Sequence, residues 1–210
     1  MTRFIVVRHG ETQWNLASRI QGHADSELTE AGRRQAEALA RRLEREDFDV
    51  LVSSDLGRAL ATARIIARRT GHEPIVADAR FRERSFGEGE GLTYGELDHQ
   101  YPETFSKVLE TDPDYRIPGG ESRRQFHERV RTAFESLAGE RPGQRVAVVA
   151  HGGVLATLYR HIHGLGITTP HRIPIANASY SSVAFDGSAW SVEAWGDTGH
   201  LDAVALAERS

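Results

Sequence analysis

The chain has 210 residues, 39% of them hydrophobic and 27% charged, with a formal net charge of −4 at pH 7. That size and apolar fraction suit one globular domain spanning residues 1–210. The mild negative balance gives no general attraction to nucleic acid or an anionic membrane, so any anion recognition must come from a local cluster of cations. The absence of cysteine excludes disulfides, thiolate metal sites and cysteine nucleophiles, and suits a reducing compartment.

The first apolar run, Phe4 to Val7, is aromatic and β-branched and stops at Arg8-His9-Gly10, as a buried strand does. Four apolar residues are too few for a signal-peptide core or a membrane span, so the expected location is cytoplasmic. A turn region follows. In LTEAGRRQAEALARRLERE, residues Ala36, Leu39, Ala40 and Leu43 fall on one face of a helix with Thr29 as its N-cap. FDVLVSS reads as a second strand, and DLGRALATARIIARRTG as a helix with Asp55 near its start and Gly71 just past its end. EPIVAD is a third strand. From Phe81 to Gly120, the glycine-rich FGEGEGLTYG and the proline-punctuated YPETFSKVLETDPDYRIPGG predict loops and short helices.

Ser122 and Gln125 fit a capping box, and Phe126, Val130, Ala133 and Leu137 continue it as an amphipathic helix. RVAVVA is a strand that runs into HGGVLATLYRHIHGLG, a histidine-glycine turn followed by a helix. SYSSVAFDGSAWSVEAW closes the chain with two alternating segments around Asp186-Gly187, a hairpin signal. The sequon at Asn177 to Ser179 requires a secretory compartment, for which nothing else argues. Strands alternating with helices imply an α/β fold: a mostly parallel central sheet with helices on both faces, ending in a hairpin. Ligands of such sheets bind at the carboxyl ends of the strands.

VVRHG and VVAHG each place a histidine directly after an apolar strand and before a glycine. Both histidines, His9 and His151, therefore belong at the same sheet edge. The glycines let the backbone turn sharply, and a helix start such as that at Gly152 presents free N–H groups to an anion. A single strand-end histidine is more often a core residue; two of them, the first beside Arg8, form a site.

These residues resemble the histidine phosphatases, the superfamily that includes cofactor-dependent phosphoglycerate mutases and fructose-2,6-bisphosphatases. RHGETQWN resembles the segment around the family's nucleophile, SSDLGRALATA its second arginine segment, FRERSFGEGEG its acid segment and VVAHGG its second histidine. Order and approximate spacing agree along most of the chain. The resemblance implies that His9 is the phosphorylated nucleophile and that Arg8, Arg58 and His151 hold the phosphoryl group. It also implies that Asn15 lines the pocket, that Glu83 is the proton donor, and that Gln21 and Gly22 form the substrate-edge loop. Without it, Arg58 is one arginine among the solvated Arg64, Arg68 and Arg69, Asn15 is equally a turn or cap residue, and Glu83 cannot be chosen over Glu88 or Glu90.

The chemistry fits these roles. Phosphoryl transfer spreads charge over three equatorial oxygens, which the forked, permanently charged donors of two arginines answer better than lysine ammoniums do. His9 must be neutral at the attacking nitrogen, so its other nitrogen should donate to an acceptor such as a backbone carbonyl. His151 donates a further bond if protonated. Glu83 protonates the leaving alkoxide and then deprotonates water, for which a raised pKa is expected.

No metal is expected, because His161 and His163 stand at i and i+2, off a shared helix face. No nucleotide-binding loop is present, and no cofactor is implied. The expected partner is a small phosphorylated metabolite, with no nucleic acid and no membrane; a homodimer stays open.

Hydrolysis is favoured over mutase activity. The interval from Glu83 to His151 is 151 − 83 = 68 residues, short for the mutases, and HGG resembles small phosphatases more than the HGN usual in mutases. The alternatives are a cofactor-dependent phosphoglycerate mutase and a phosphoester-binding module without turnover. Arg82, Arg84, Arg116, Arg123 and Arg124 are candidates for a substrate carboxylate or else solvated surface.

Overall fold

The computed structural model describes residues 1–109, 112–169 and 173–202; Glu110 and Thr111, inside the interval expected to hold loops and short helices, lie outside the described residues. Strands β1 (Thr2–Arg8), β2 (Val50–Ser53), β3 (Val76–Ala77), β4 (Arg145–Ala150), β5 (Tyr180–Phe185) and β6 (Trp190–Asp197) form one sheet in the order β3-β2-β4-β1-β5-β6. The first four run parallel, while β5 and β6 are antiparallel and form the terminal hairpin. The mixed α/β architecture with a mostly parallel sheet is the one the sequence predicts.

β1 is buried on both faces because its neighbours are covered on both faces. Phe4 and Val6 point into a core shared with Phe134, Val148, Leu155 and Leu158. Ile5 and Val7 point into an opposite core shared with Leu39, Leu51, Ala63 and Ile66. This is the period-two alternation of a strand, with apolar residues at every position. Helices α2 (Glu30–Leu43) and α3 (Gly57–Thr70) supply the second core, and α6 (Arg123–Glu140) and α7 (Gly152–Ile162) the first. The short α1 (Gln13–Leu16), α4 (Tyr94–Gln100) and α5 (Pro102–Leu109) occupy the connections.

The expected caps are present. The Thr29 side chain accepts from Gly32 N–H, Gly71 ends α3 at φ +75°, and Ser122 and Gln125 complete the capping box of α6. Three details differ from the sequence reading. The third strand shrinks to the exposed pair Val76–Ala77, since Pro74 has no N–H for a ladder. Asp55 does not serve the start of α3: it binds Arg82, and Asp25 Oδ1 takes the Arg58 N–H instead. The turn region after β1 contains α1, closed by a box between Thr12 and Asn15.

The register sets up the site. Arg8 pairs with Ala150 across β1 and β4, so His9 and His151 leave neighbouring strands at one level. Behind them the loop after β1 lies directly on α2. A Cβ on Gly10 would stand 2.4 Å from the Gly32 carbonyl oxygen, and one on Gly32 would stand 2.0 Å from the Glu11 carbonyl oxygen. Glycine inside a helix ordinarily destabilises by roughly 0.5–1 kcal/mol relative to alanine. Here the sign reverses: Gly32→Ala should lower stability by about 1–3 kcal/mol, the usual range for overpacking, as read from urea unfolding midpoints.

Candidate active site

His9 is buried, and its Nδ1 donates to the Gly10 carbonyl at 2.8 Å. That bond fixes the tautomer and leaves the lone pair on Nε2. Burial, reinforced by the charges of Arg58 and Arg8, holds the ring's pKa well below the ordinary 6.5. His9 is therefore a neutral base at physiological pH, as a nucleophile must be. The Asn177 side chain donates to the His9 carbonyl at 3.1 Å and pins the backbone.

His151 stands edge-on to His9 with ring centroids 5.2 Å apart. It is fully buried, and burial together with Arg58, His9 and Arg8 lowers its pKa well below 6.5. A neutral ring corrects the expectation that His151 donates only when protonated. Ser54 Oγ accepts from Leu56 N–H at 3.3 Å and lies 2.8 Å from His151 Nε2. When its own proton goes to Nε2, the imidazole proton sits on Nδ1. Nδ1 is buried and has no partner, so the neutral ring already offers a donor.

The two arginines repeat the pattern. Arg58 is 2% exposed and spends its terminal nitrogens on Gly22 O (2.7 Å), Ala24 O (2.8 Å) and Asp25 Oδ1 (3.1 Å). Arg8 donates to Ile175 O at 2.9 Å. In both, Nε is buried and unpartnered. An unsatisfied buried donor ordinarily costs about 1–3 kcal/mol, and three of them, Arg8 Nε, Arg58 Nε and His151 Nδ1, belong to residues grouped around His9.

The structure also separates the three glutamates that the sequence could not. Glu90 is consumed in the loop: it accepts from His23, Ala24 and Phe86 N–H at 2.8–2.9 Å. Glu88 is exposed. Glu83 lines the same cavity as His9, with one carboxylate oxygen on Gly153 N–H and the other on Arg84 N–H, both at 2.8 Å. Its loop is clamped from behind by Arg129, which donates to the carbonyls of Arg80, Arg82 and Glu83 and pairs with Glu121.

Of the remaining expected residues, Asn15 lines the cavity while its Oδ1 accepts from Thr12 and Asn177; it is both cap and wall, with Nδ2 left for a ligand. Gln21 is a buried wall residue whose Oε1 accepts from Thr12. Gly22, at φ +55°, lines the cavity and holds Arg58 through its carbonyl. Gly152 lines it at the start of α7, beside Arg8. The sequence reading missed Ser54, Asn177, Asp25 and Arg129. SSD and NAS were in view as motifs, but nothing local marks their long-range partners. His161 lies 3.6 Å from Glu135 in an ion-pair geometry, away from the cavity.

The cavity measures about 710 Å³, within the range of small-molecule sites. Of the distal arginine candidates, Arg82 and Arg124 are spent on Asp55 and Asp114, and Arg116 Nε donates to Gly120 O. Arg84 and Arg123 line the cavity, joined by Arg160, which the sequence did not single out.

A neutral imidazole with an unbonded Nε2, beside buried guanidiniums at the carboxyl edge of such a sheet, is an arrangement suited to phosphoryl transfer. Residues 4–198 match the family described as the histidine phosphatase superfamily (branch 1), and the chain belongs to that family. It is 39% identical over 204 residues to phosphoglycerate mutase-like protein 4 of Arabidopsis thaliana, covering 94% of this chain and 86% of that protein. It is 38% identical over 211 residues to a metal-independent phosphoserine phosphatase of Arabidopsis thaliana, covering 100% and 87%. Among solved structures, YhfR of Bacillus stearothermophilus superposes with a TM-score of 0.87 at 33% identity, covering 96% of this chain and all of that one.

The two buried neutral imidazoles have a pH consequence. The unfolded chain binds protons at both rings below their ordinary 6.5 and the native chain does not, so stability should fall as pH drops below 6.5. Imidazole C–H resonances of His9 and His151 should titrate below 6.5 in the free protein, and saturating phosphate should move both midpoints upward. A midpoint at or above 6.5 for His9 without ligand contradicts the burial argument.

Proposed function

We propose that the protein hydrolyses small phosphomonoesters through a phosphohistidine at His9. The observation that carries this reading is the set of three buried donors without partners, Arg8 Nε, Arg58 Nε and His151 Nδ1, around a neutral imidazole whose Nε2 is unbonded. A phosphoryl group at His9 Nε2 brings acceptor oxygens to the residues that carry those donors. In the first step His9 Nε2 bonds to phosphorus, the ester oxygen leaves, and Glu83 gives it a proton. In the second, Glu83 takes a proton from water as its oxygen attacks phosphorus, the P–N bond breaks, and phosphate departs with His9 neutral again. The arginines hold the equatorial oxygens through both steps, a role suited to their charge and forked geometry.

Gly153 supports water as the acceptor. A Cβ there would lie 2.1 Å from Glu83 Oε1, so the asparagine usual at this position in mutases would force the carboxylate off the start of α7. The named phosphoserine phosphatase relative supports the same choice. Among the described residues no helix is long and apolar enough to cross a membrane. A single cytoplasmic domain acting on small metabolites, with no nucleic-acid or membrane partner, agrees with the net charge and with the absence of cysteine.

Phosphate release from p-nitrophenyl phosphate, phosphoserine, 3-phosphoglycerate and sugar phosphates, with EDTA present, should exceed interconversion of 3- and 2-phosphoglycerate in a parallel assay. Faster interconversion would make the protein a mutase, and phosphate binding without either reaction would make it a binding module. His9→Ala should abolish turnover in a protein that still folds. Glu83→Gln should slow turnover by about 10²- to 10⁴-fold while phosphate binding, followed by calorimetry, persists.

A further inference from the structure

Glu90 is a half-buried carboxylate that the proposed chemistry does not use, and it stands where two loops of the site meet. Its Oε1 accepts from His23 N–H and Phe86 N–H, both at 2.9 Å, and from the Ser85 hydroxyl at 3.3 Å. Its Oε2 accepts from Ala24 N–H at 2.8 Å. One side chain therefore binds the turn that follows Gln21 and the segment that follows Glu83. The packing leaves it no room to move toward the turn: a Cβ on Gly22 would stand 2.2 Å from Glu90 Oε1.

Each loop carries one half of the site. On the first, the carbonyls of Gly22 and Ala24 and the carboxylate of Asp25 hold the terminal nitrogens of Arg58. Ala24 thus has its N–H on Glu90 and its carbonyl on Arg58. On the second, the Glu83 carbonyl accepts from His23 Nε2 at 2.9 Å and from Arg129 at 3.1 Å. His23 thus has its main chain on Glu90 and its ring on the backbone of the acid residue. Glu90 also supplies charge: burial lowers the pKa of Arg58, and the carboxylates of Glu83, Asp25 and Glu90 oppose that lowering. Hydrogen bonds to an ionised acceptor are roughly twice as strong as neutral ones. An amide in the same place accepts through only one of its two atoms and turns an NH₂ toward the N–H groups on the other side.

We propose that Glu90 is a positioning residue for both halves of the site, tying the turn that aims Arg58 to the segment that aims Glu83, with His23 as the link between them. This rests on the reading of His9 as the phosphorylated nucleophile and Glu83 as the proton donor. Glu90 itself is not among the residues that line the cavity, and it acts only through the groups it holds. A loosened turn weakens the grip of Arg58 on a phosphoryl group. A loosened acid segment penalises esters whose leaving group needs a proton, such as an alkoxide, more than p-nitrophenyl phosphate, whose phenolate leaves without one.

The test compares Glu90→Gln with the wild type and with Glu88→Gln, a change at an exposed side chain of the same loop. kcat/KM is measured for p-nitrophenyl phosphate and for whichever alkyl ester the wild type hydrolyses fastest among phosphoserine, 3-phosphoglycerate and sugar phosphates. Calorimetry follows the binding of inorganic phosphate, and thermal melting confirms folding. In Glu90→Gln, phosphate should bind about tenfold more weakly, and kcat/KM for the alkyl ester should fall about tenfold further than for p-nitrophenyl phosphate. Glu88→Gln should change neither. General destabilisation lowers the melting temperature without altering the ratio between the two esters. His23→Ala keeps the main-chain bonds to Glu90 and removes only the link, so it should lower the alkyl-to-aryl ratio several-fold while phosphate affinity holds. A folded Glu90→Gln with wild-type phosphate affinity or a wild-type ester ratio overturns the positioning role and leaves the phosphatase intact. If Glu90→Gln does not fold, an unchanged ratio in His23→Ala overturns it in the same way. A wild type that hydrolyses none of these esters overturns the phosphohistidine reading, and the positioning role with it.

Discussion

Two guanidiniums and two imidazoles are kept dry around one point, and the surrounding scaffold exists to hold them there. Arg58 and Arg8 lose hydration on burial, which lowers both of their pKa values, and the charge of Arg58 adds to the lowering at Arg8. Acceptors from distant parts of the chain oppose that penalty: carbonyls at Gly22, Ala24 and Ile175 and the carboxylate of Asp25. These hold the terminal nitrogens and leave the Nε groups open. With one orphan donor costing about 1–3 kcal/mol, a site with three such atoms holds unused hydrogen-bonding capacity beside His9. Burial, reinforced by the charges of Arg58 and Arg8, also keeps His9 neutral.

The sheet order makes this economical in chain. Because β4 lies beside β1 in parallel register, two strand-histidine-glycine turns separated by 142 positions in sequence (151 − 9) become neighbours without a dedicated linker. α3 starts at the same edge and brings Arg58. The acid comes from elsewhere, on the long connection between β3 and β4. That segment has few regular hydrogen bonds of its own, and Arg129 and Glu121 tie it down with a partly buried network. A rigid sheet edge therefore carries His9 and the cations, while a clamped loop carries Glu83.

The distal wall follows a different logic. Arg84, Arg123 and Arg160 are contributed by a loop, a helix start and a helix end, and the aromatic groups beside them come from still other segments. Such a wall can vary with little effect on the sheet, whereas the His9 pocket cannot.

Periodicity, caps and the two histidine-glycine turns were legible in the chain itself because they depend on local rules: alternation in β1, Thr29 before α2, Gly71 after α3, Ser122 with Gln125. The motif resemblance was legible for the same reason, since a short run of residues around each catalytic group must keep its local geometry. What stayed out of reach were pairings across the fold. EPIVAD reads as a strand, but only Val76–Ala77 pairs at the sheet edge. Asp55 reads as a helix-start residue and instead binds Arg82, and Arg160, which no motif singles out, lines the cavity. Composition and pattern by themselves determined the α/β class and the two imidazoles at one edge. Only the tertiary structure decided that Ser54 meets His151 and that Glu83, rather than Glu88 or Glu90, shares a cavity with His9. Burial, tautomer and counter-charge are properties of contacts between residues far apart in sequence, and no local pattern encodes them.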